Sequence, residues 1–271
     1  MRAVFLSDNI SNCGLGAEWG LSIYIEYEGH RILLDTGAGP LFGENADALG
    51  IDLSQVEFGV LSHAHYDHSD GMDEFFRRNT HAPFYLQDEC GEDCYDQDGE
   101  GRLKYIGIKR GLLKEFADRI VYLRHPFSPL PGVTLLPHTA AGLAAKGANA
   151  HMYRQTQCCV VPDDFSHEQS LIFETPRGIV IFNSCCHAGA DLVVTEAASA
   201  FPDKPIYAVI GGFHLYDTPA EEVRAFAGRL RDTGVKHIIT GHCTGQEGFE
   251  LLKEELGDLV RQTEVGLTLN L

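Results

Sequence analysis

Between His63 and His68 the chain places three imidazoles and one carboxylate on six residues, His63-Ala64-His65-Tyr66-Asp67-His68. Neutral imidazole and carboxylate are the donors that Zn²⁺ and similar divalent ions take. Four donors on so tight a loop crowd one ion but suit two neighbouring ones. His63 and His65 reach the first ion; Asp67 and His68 reach the second. That division predicts a two-metal hydrolytic centre, in which paired ions activate a water. A solvated, idle histidine turn is the plain alternative. The position of the loop directly after an apolar strand argues against it.

The elements that must position this loop can be read from the apolar pattern. Strands are expected at 3–7, 20–27 and 31–35, the last two joined as a hairpin by Glu28-Gly29-His30. A short helix is expected at 45–49, a buried strand at 56–61 that delivers the histidines, and a helix at 71–78. From 80 to 162 glycine, proline and charge interrupt the pattern, with one helix at 112–118. This stretch reads as a cap or insertion over the site within a single domain spanning 1–271. A second hairpin, 170–175 and 179–183 around Pro176-Arg177-Gly178, ends on Ser184-Cys185-Cys186-His187. A helix at 191–200, a strand at 206–210 and the run Gly211-Gly212-Phe213-His214 follow. The helix at 220–232 has Thr218 as expected N-cap, Pro219 at its first position and Glu221-Glu222 in its first turn. A strand at 235–240 delivers His242-Cys243-Thr244-Gly245, and a last helix occupies 247–256. Each half thus repeats hairpin, ligand-bearing turn and helices, which predicts two sheets packed face to face with helices outside.

The 271 residues carry 21 basic and 39 acidic side chains, a formal charge of −18. Such a surface repels nucleic acid and anionic membranes at long range, leaving a small molecule as the expected partner. No apolar run of about 18 residues is present, and the first residues turn polar too early for a signal peptide, so a cytoplasmic setting is expected. In that setting the eight cysteines (13, 90, 94, 158, 159, 185, 186 and 243) are expected mostly as buried thiols rather than a disulfide framework. The sequence carries no signature of oligomeric state.

The pattern His-x-His-x-Asp-His resembles the signature of the metallo-β-lactamase superfamily, and further motifs follow in order along nearly the whole chain. The resemblance implies an α/β fold, a four-layer αββα sandwich of two mixed sheets. It makes Asp35, before Thr36-Gly37, a partner that orients a ligand imidazole, and His242 the last motif. His167 precedes the second hairpin and Cys185 closes it. On this reading the first ion takes His63, His65 and His167, and the second takes Asp67, His68 and His242. The Cys185 thiolate touches the second ion or both. His187, two positions along the same turn, rivals it. The runs at 17–22, 167–171, 185–187, 210–215 and 242–245 resemble one branch, the 7,8-dihydropterin-6-methyl-4-(β-D-ribofuranosyl)-aminobenzene-5′-phosphate synthases. Many members of that branch have Asp where this chain has His167 and Ser where it has Cys186.

The resemblance implies a metal-dependent hydrolase using a hydroxide between two divalent ions, zinc with Mn²⁺ or Fe²⁺ as alternatives. The expected substrate is an anionic small molecule, a phosphorylated metabolite or phosphodiester first and a lactone or thioester second. Asp67 and His214 are the expected catalytic side chains, His214 donating a proton or binding phosphate. One alternative is the phosphoribosyl transfer implied by the branch. Another is an iron-dependent redox or sensing protein, but flavodiiron proteins resemble His-x-Glu-x-Asp-His, and residue 65 is His. Gly211 and Gly212 are expected to offer N–H groups to an anion. Glu18 and Trp19 either edge the cleft or pack in the core. His81, His125, His138 and His151 are expected at the surface or in the cap, and Cys90 and Cys94 as idle thiols in an acidic loop, with a small metal or redox pair as the alternative.

Overall fold

The computed structural model describes residues 1–271. Two seven-stranded sheets form its centre. The first runs in the order Thr268–Asn270, Arg2–Ser7, Ser22–Tyr27, His30–Leu34, Phe58–Val60, Phe84–Gln87, Ile120–Leu123. The second runs Val260–Gln262, His237–Thr240, Ile206–Gly211, Gly178–Phe182, Gln169–Thr175, Val133–Pro137, Phe127–Leu130.

Alternation along the strands builds the layers, because successive side chains point to opposite faces. Ala3, Phe5, Ile23, Ile25, Ile32 and Leu34 face Leu171, Phe173, Val180, Phe182 and Ile210 in the core between the sheets. The intervening Val4, Leu6, Tyr24 and Leu33 face outward onto Phe42, Ala46, Phe75 and Phe76, carried by Leu41–Ala48 and Met72–Arg78. On the second sheet Ile172, Ile181, Val209 and Ile238 face helices Ala190–Ala200, Ala220–Asp232 and Gln246–Leu256. Both faces of each sheet are covered, so the central strands read as nearly continuous apolar runs. Each such Val, Leu, Ile or Phe contributes about 1.5–3 kcal/mol on burial. The result is the expected four-layer sandwich. No helix is long and apolar enough to cross a membrane.

Parallel pairing gathers the functional loops. His30–Leu34 runs parallel to Phe58–Val60, and Gly178–Phe182, Ile206–Gly211 and His237–Thr240 are mutually parallel. Asp35, the histidine loop, Cys185 to His187, His214 and His242 all follow the C-terminal ends of these strands. Their side chains therefore meet at one rim of the sandwich.

Residues 80–162 are distributed among layers. Phe84–Gln87 and Ile120–Leu123 extend the first sheet, and Phe127–Leu130 and Val133–Pro137 extend the second. A four-stranded antiparallel sheet, Val160–Pro162, Met152–Gln155, Cys94–Gln97 and Leu103–Tyr105, takes the remaining strands. Two local expectations need correction. The helix expected at 45–49 begins at Leu41, directly after Pro40. Thr218 is no N-cap: Pro219 occupies that position, and no side chain caps the helix.

Candidate metal centre

Asp35 organises the first part of the site. Its backbone is left-handed (φ 56°), uncommon for a residue with a Cβ, and this turns the carboxylate inward from the strand end. Oδ1 accepts the Ser62 N–H at 2.7 Å, and Oδ2 accepts the Ser62 hydroxyl at 2.6 Å and faces His68 Nδ1 at 2.8 Å. Ser62 Oγ, its proton committed to Asp35, is the acceptor for His63 Nδ1 at 2.8 Å. His242 Nδ1 is likewise held by Asn9 Oδ1 at 2.9 Å. In all three rings Nδ1 carries the proton and Nε2 presents its lone pair to the centre.

Several ring nitrogens at the centre have no ordinary partners. His63 Nε2 and His65 Nε2 are buried without a hydrogen bond, and His187 is unpaired at both nitrogens. Burial, reinforced by the neighbouring imidazoles, holds His63 and His187 well below the usual histidine range and His65 down to about 3. Three neutral imidazoles thus sit with ring centroids 4.6–5.0 Å apart and their donor atoms within 4.8 Å of one another. Unpaired buried nitrogens are costly unless a cation satisfies them.

The second group is Asp67, His68 and His242, also within 4.8 Å. His68 Nε2 and His242 Nε2 face each other at 3.2 Å, an approach that a shared proton or a metal ion between them reconciles. Asp67 Oδ2 lies 3.4 Å from His242 Nε2 and 3.7 Å from His68 Nε2. Burial would raise the Asp67 carboxyl, but the two imidazoles hold it below its ordinary value. Burial would lower His242, and the hydrogen bond to Asp67 instead pushes it up to about 9. Cys185 Sγ sits 3.2 Å from His68 Nε2 and shares donor groups with both His63 and His242, so it lies between the two sets. Donor type, burial and the unpaired nitrogens all fit divalent metal.

His167 stands elsewhere. Its Nδ1 accepts the Ala64 N–H at 3.2 Å, and its Nε2 faces Asp163 Oδ2 at 3.0 Å with Cys94 Sγ at 3.8 Å. Both nitrogens are engaged, and His65, Cys94, Asp163 and His167 form a further buried group whose donor atoms lie within 4.8 Å of one another. His167 braces the backbone between His63 and His65, while the donor atoms of His63, His65 and His187 gather within 4.8 Å of one another. Cys90 and Cys94 are buried against this strut instead of idling in a loop, Cys90 donating to the His167 carbonyl at 3.3 Å.

The His187 turn has its own support. Glu168 Oε2 accepts the His187 N–H at 3.1 Å, while Oε1 meets His138 Nε2 at 2.7 Å. Glu196 takes the other His138 nitrogen at 2.6 Å. His138 is therefore buried, not superficial, because two carboxylates neutralise it. Burial alone would lower its pKa; the pair raises it to about 9.

Gly212 does not present its N–H to an anion. Gly212 N–H is taken by the Ser184 carbonyl at 2.7 Å. A Cβ on Gly211 would meet the Asn183 carbonyl oxygen at 1.8 Å, and one on Gly212 the Cys243 sulfur at 2.4 Å. The pair serves close packing under the site. His214 (φ 51°) and Cys186 (φ 44°) add to the left-handed residues around the centre, and strain of this kind concentrates at functional sites. His214 Nδ1 is buried and unpaired, and its ring lies 4.6 Å from that of His187.

A cleft of about 190 Å³ opens over the centre, with His65, Asp67, Cys185 and His187 among its lining and Trp19, Lys104 and Tyr216 around it. Trp19 edges the cleft, 44% exposed, its ring 5.3 Å from that of His242. A larger cleft of about 800 Å³ reaches His187 and His214 from the other side. Sequence reasoning missed Asn9, Ser62, Asp163 and the His138–Glu168 support. Asn9 and the His138–Glu168 pair act across 233 and 30 residues of chain, whereas Ser62 and Asp163 lie one and four residues from the histidines they hold and carry no motif spacing.

Comparison with known proteins agrees with this geometry. The family model described as metallo-beta-lactamase superfamily matches residues 17–144. A Methanocaldococcus jannaschii protein named 7,8-dihydropterin-6-methyl-4-(beta-D-ribofuranosyl)-aminobenzene-5'-phosphate synthase is 29% identical over 94% of this chain and 90% of its own. The crystal structure of Tm1679, described as a metal-dependent hydrolase of the beta-lactamase superfamily, matches with a TM-score of 0.85 and 26% identity, covering 100% of this chain and 99% of the other. A diphosphatase of the PhnP family shares the fold, at a TM-score of 0.55 and 15% identity over 100% and 97% of the two chains. With its motifs in order along such a sandwich, the chain is similar to the metallo-β-lactamase superfamily, whose model matches residues 17–144 and whose fold it shares.

Proposed function

We propose that this protein is a metal-dependent hydrolase acting on a small anionic substrate, a phosphorylated metabolite or a phosphodiester. The observation that carries the reading is the set of neutral, unpaired nitrogens of His63, His65 and His187 beside Asp67, His68, Cys185 and His242 on the floor of an open cleft. His63, His65 and His187 would hold one divalent ion and Asp67, His68 and His242 another, with Cys185 between them; the donor set suits zinc, with Mn²⁺ or Fe²⁺ as alternatives. Bound there, such ions lower the pKa of water from about 15.7 toward 7 and offset charge on the attacked centre.

The chain's own residues supply the rest. Asp67, kept ionised, accepts a hydrogen bond from the attacking water and orients it. Lys104, on the wall of the cleft, offers a cation to the substrate's anionic group. Burial would lower His214, but contact with Cys243 raises it above the usual range, so the ring keeps a proton to give to a leaving group. The small four-stranded sheet acts as a cap within one domain, bringing Asp96, Lys104 and Met152 to the cleft.

Incubating metal-loaded protein with phosphomonoester, phosphodiester and lactone panels tests the reading. Turnover of a phosphate ester that disappears in His187→Ala is expected. No turnover of any ester would end it. The relative named as a synthase, similar over most of both chains, favours a second reading, phosphoribosyl transfer from a pyrophosphate-bearing donor. Pyrophosphate release that depends on an aromatic acceptor, without ester hydrolysis, would select it.

A further inference from the structure

Cys243 stands at the rim beside Cys185, and nothing above gives it a ligand's role. Its sulfur is buried, 3.3 Å from Cys185 Sγ, and the donor atoms of Cys185, His242 and Cys243 lie within 4.8 Å of one another. The left-handed turn at His242 (φ 47°) sends two successive side chains, imidazole and thiol, into the same pocket. The sulfur is specifically accommodated. The His214 N–H donates to it at 3.2 Å, and Gly212 leaves the space that a Cβ, 2.4 Å from the sulfur, would close. A thiol that merely fills a core needs no backbone donor, whereas a thiolate is stabilised by one.

Resting on the reading of this rim as a metal centre, we propose that Cys243 is a second sulfur ligand, paired with Cys185 on the side of His242. Two sulfurs beside imidazole make this half of the centre a site for thiophilic divalent ions, Zn²⁺, Co²⁺ or Cd²⁺, in preference to Mg²⁺ or Mn²⁺. Each thiol gives its proton to solvent as its sulfur–metal bond forms, so binding releases one proton for each thiol deprotonated.

Cobalt reports sulfur ligation directly, through a near-ultraviolet thiolate-to-metal charge-transfer band. Full-length protein is stripped with chelator and titrated with Co²⁺, alongside Cys185→Ser, Cys243→Ser and the double variant. Each single variant is expected to keep roughly half of the band and the double variant none, since intensity follows the number of thiolates. A Cys243→Ser variant with the full band overturns the proposal. Cobalt uptake with a band carried by Cys185 alone sinks only this inference, whereas no cobalt uptake by the wild type sinks the metal-centre reading itself. A ¹¹³Cd NMR spectrum of the wild type covers the case in which a variant does not fold. A two-sulfur shift supports the proposal, and a one-sulfur or sulfur-free shift overturns it.

Discussion

The two sides of the metal centre are built differently. On one side His63 and His65 at Nε2, and His187 at both nitrogens, are held neutral with no hydrogen-bond partner. On the other, Asp67, His68, Cys185 and His242 already hold one another and are tied to Asp35 and Asn9. Without an ion the first side loses hydrogen bonds outright, while the second retains a network that a shared proton can complete. The difference implies an order of dependence: the imidazole side needs its ion to be satisfied, and the acidic, thiol-bearing side is assembled in advance.

Removing a ring from the imidazole side is the harshest test of that contrast. His187→Ala is expected to lose one metal equivalent and to reduce turnover by more than about 100-fold, beyond the 10–100-fold typical of residues behind a ligand. His167→Ala, by contrast, is expected to keep both equivalents and lose stability. Metal content by mass spectrometry and thermal melts separate the two. If His167→Ala loses the metal and His187→Ala keeps it, the assignment of the third ring is wrong.

The support behind His187 gives the next effect, on stability. His138 is raised from 6.5 to about 9 by Glu168 and Glu196, which are themselves lowered, each against the cost of burial. A raised histidine stabilises the fold fully below its unfolded pKa and loses that contribution as pH rises through about 9. The lowered carboxylates contribute above their ordinary value of 4.5 and lose it as pH falls. The triad is therefore strongest between about 4.5 and 6.5 and fades toward 9. His138→Gln is expected to cost roughly 3 kcal/mol near pH 6. It should also flatten the fall in stability between pH 6.5 and 9, as followed by urea unfolding. A variant whose curve runs parallel to the wild type removes His138 from this role.

On the pre-assembled side a smaller change is enough. Asp35→Asn keeps the shape but weakens the hold on His68 and on Ser62. A 10–100-fold loss of affinity at the Asp67–His68–His242 site is expected, with the first site less affected. Chelator competition reads both equivalents. Equal losses at the two sites would mean that Asp35 serves the loop as a whole.

How much of this could be read from the chain follows the same division. The strand pattern and the histidine loop are local, so alternation at Ala3 to Leu6 and Ile23 to Ile25 foretold the layers, and His63 to His68 foretold a cluster of metal-binding donors. The surroundings of His167 were legible only in part: Asp163 lies four residues away, but the Ala64 N–H that its ring accepts comes from 103 residues off. His138 looked superficial because its two partners are 30 and 58 residues away. Cys243 was hidden beside a stronger motif residue, and only the fold brings it to Cys185. The small sheet was illegible because its strands are three or four residues long and pair across a gap of more than 40 residues.

The smallest expected effect lies at the mouth of the cleft. Trp19 packs edge-on against Tyr216 at 5.6 Å and tilts over His242, yet remains nearly half exposed. A large aromatic left open beside a metal site gains area when a ligand covers it. Aromatic contacts of this kind are worth about 0.5–1.5 kcal/mol, or roughly two- to tenfold in binding. Trp19 also shields His242 without bonding to it, so its loss should spare the ions. Trp19→Ala is expected to raise KM within that range while metal content and kcat stay near wild type. A fall in kcat or in bound metal would move Trp19 from the wall of the cleft into the support of His242. The open aromatic would then belong to the pre-assembled side of the centre and not to its substrate.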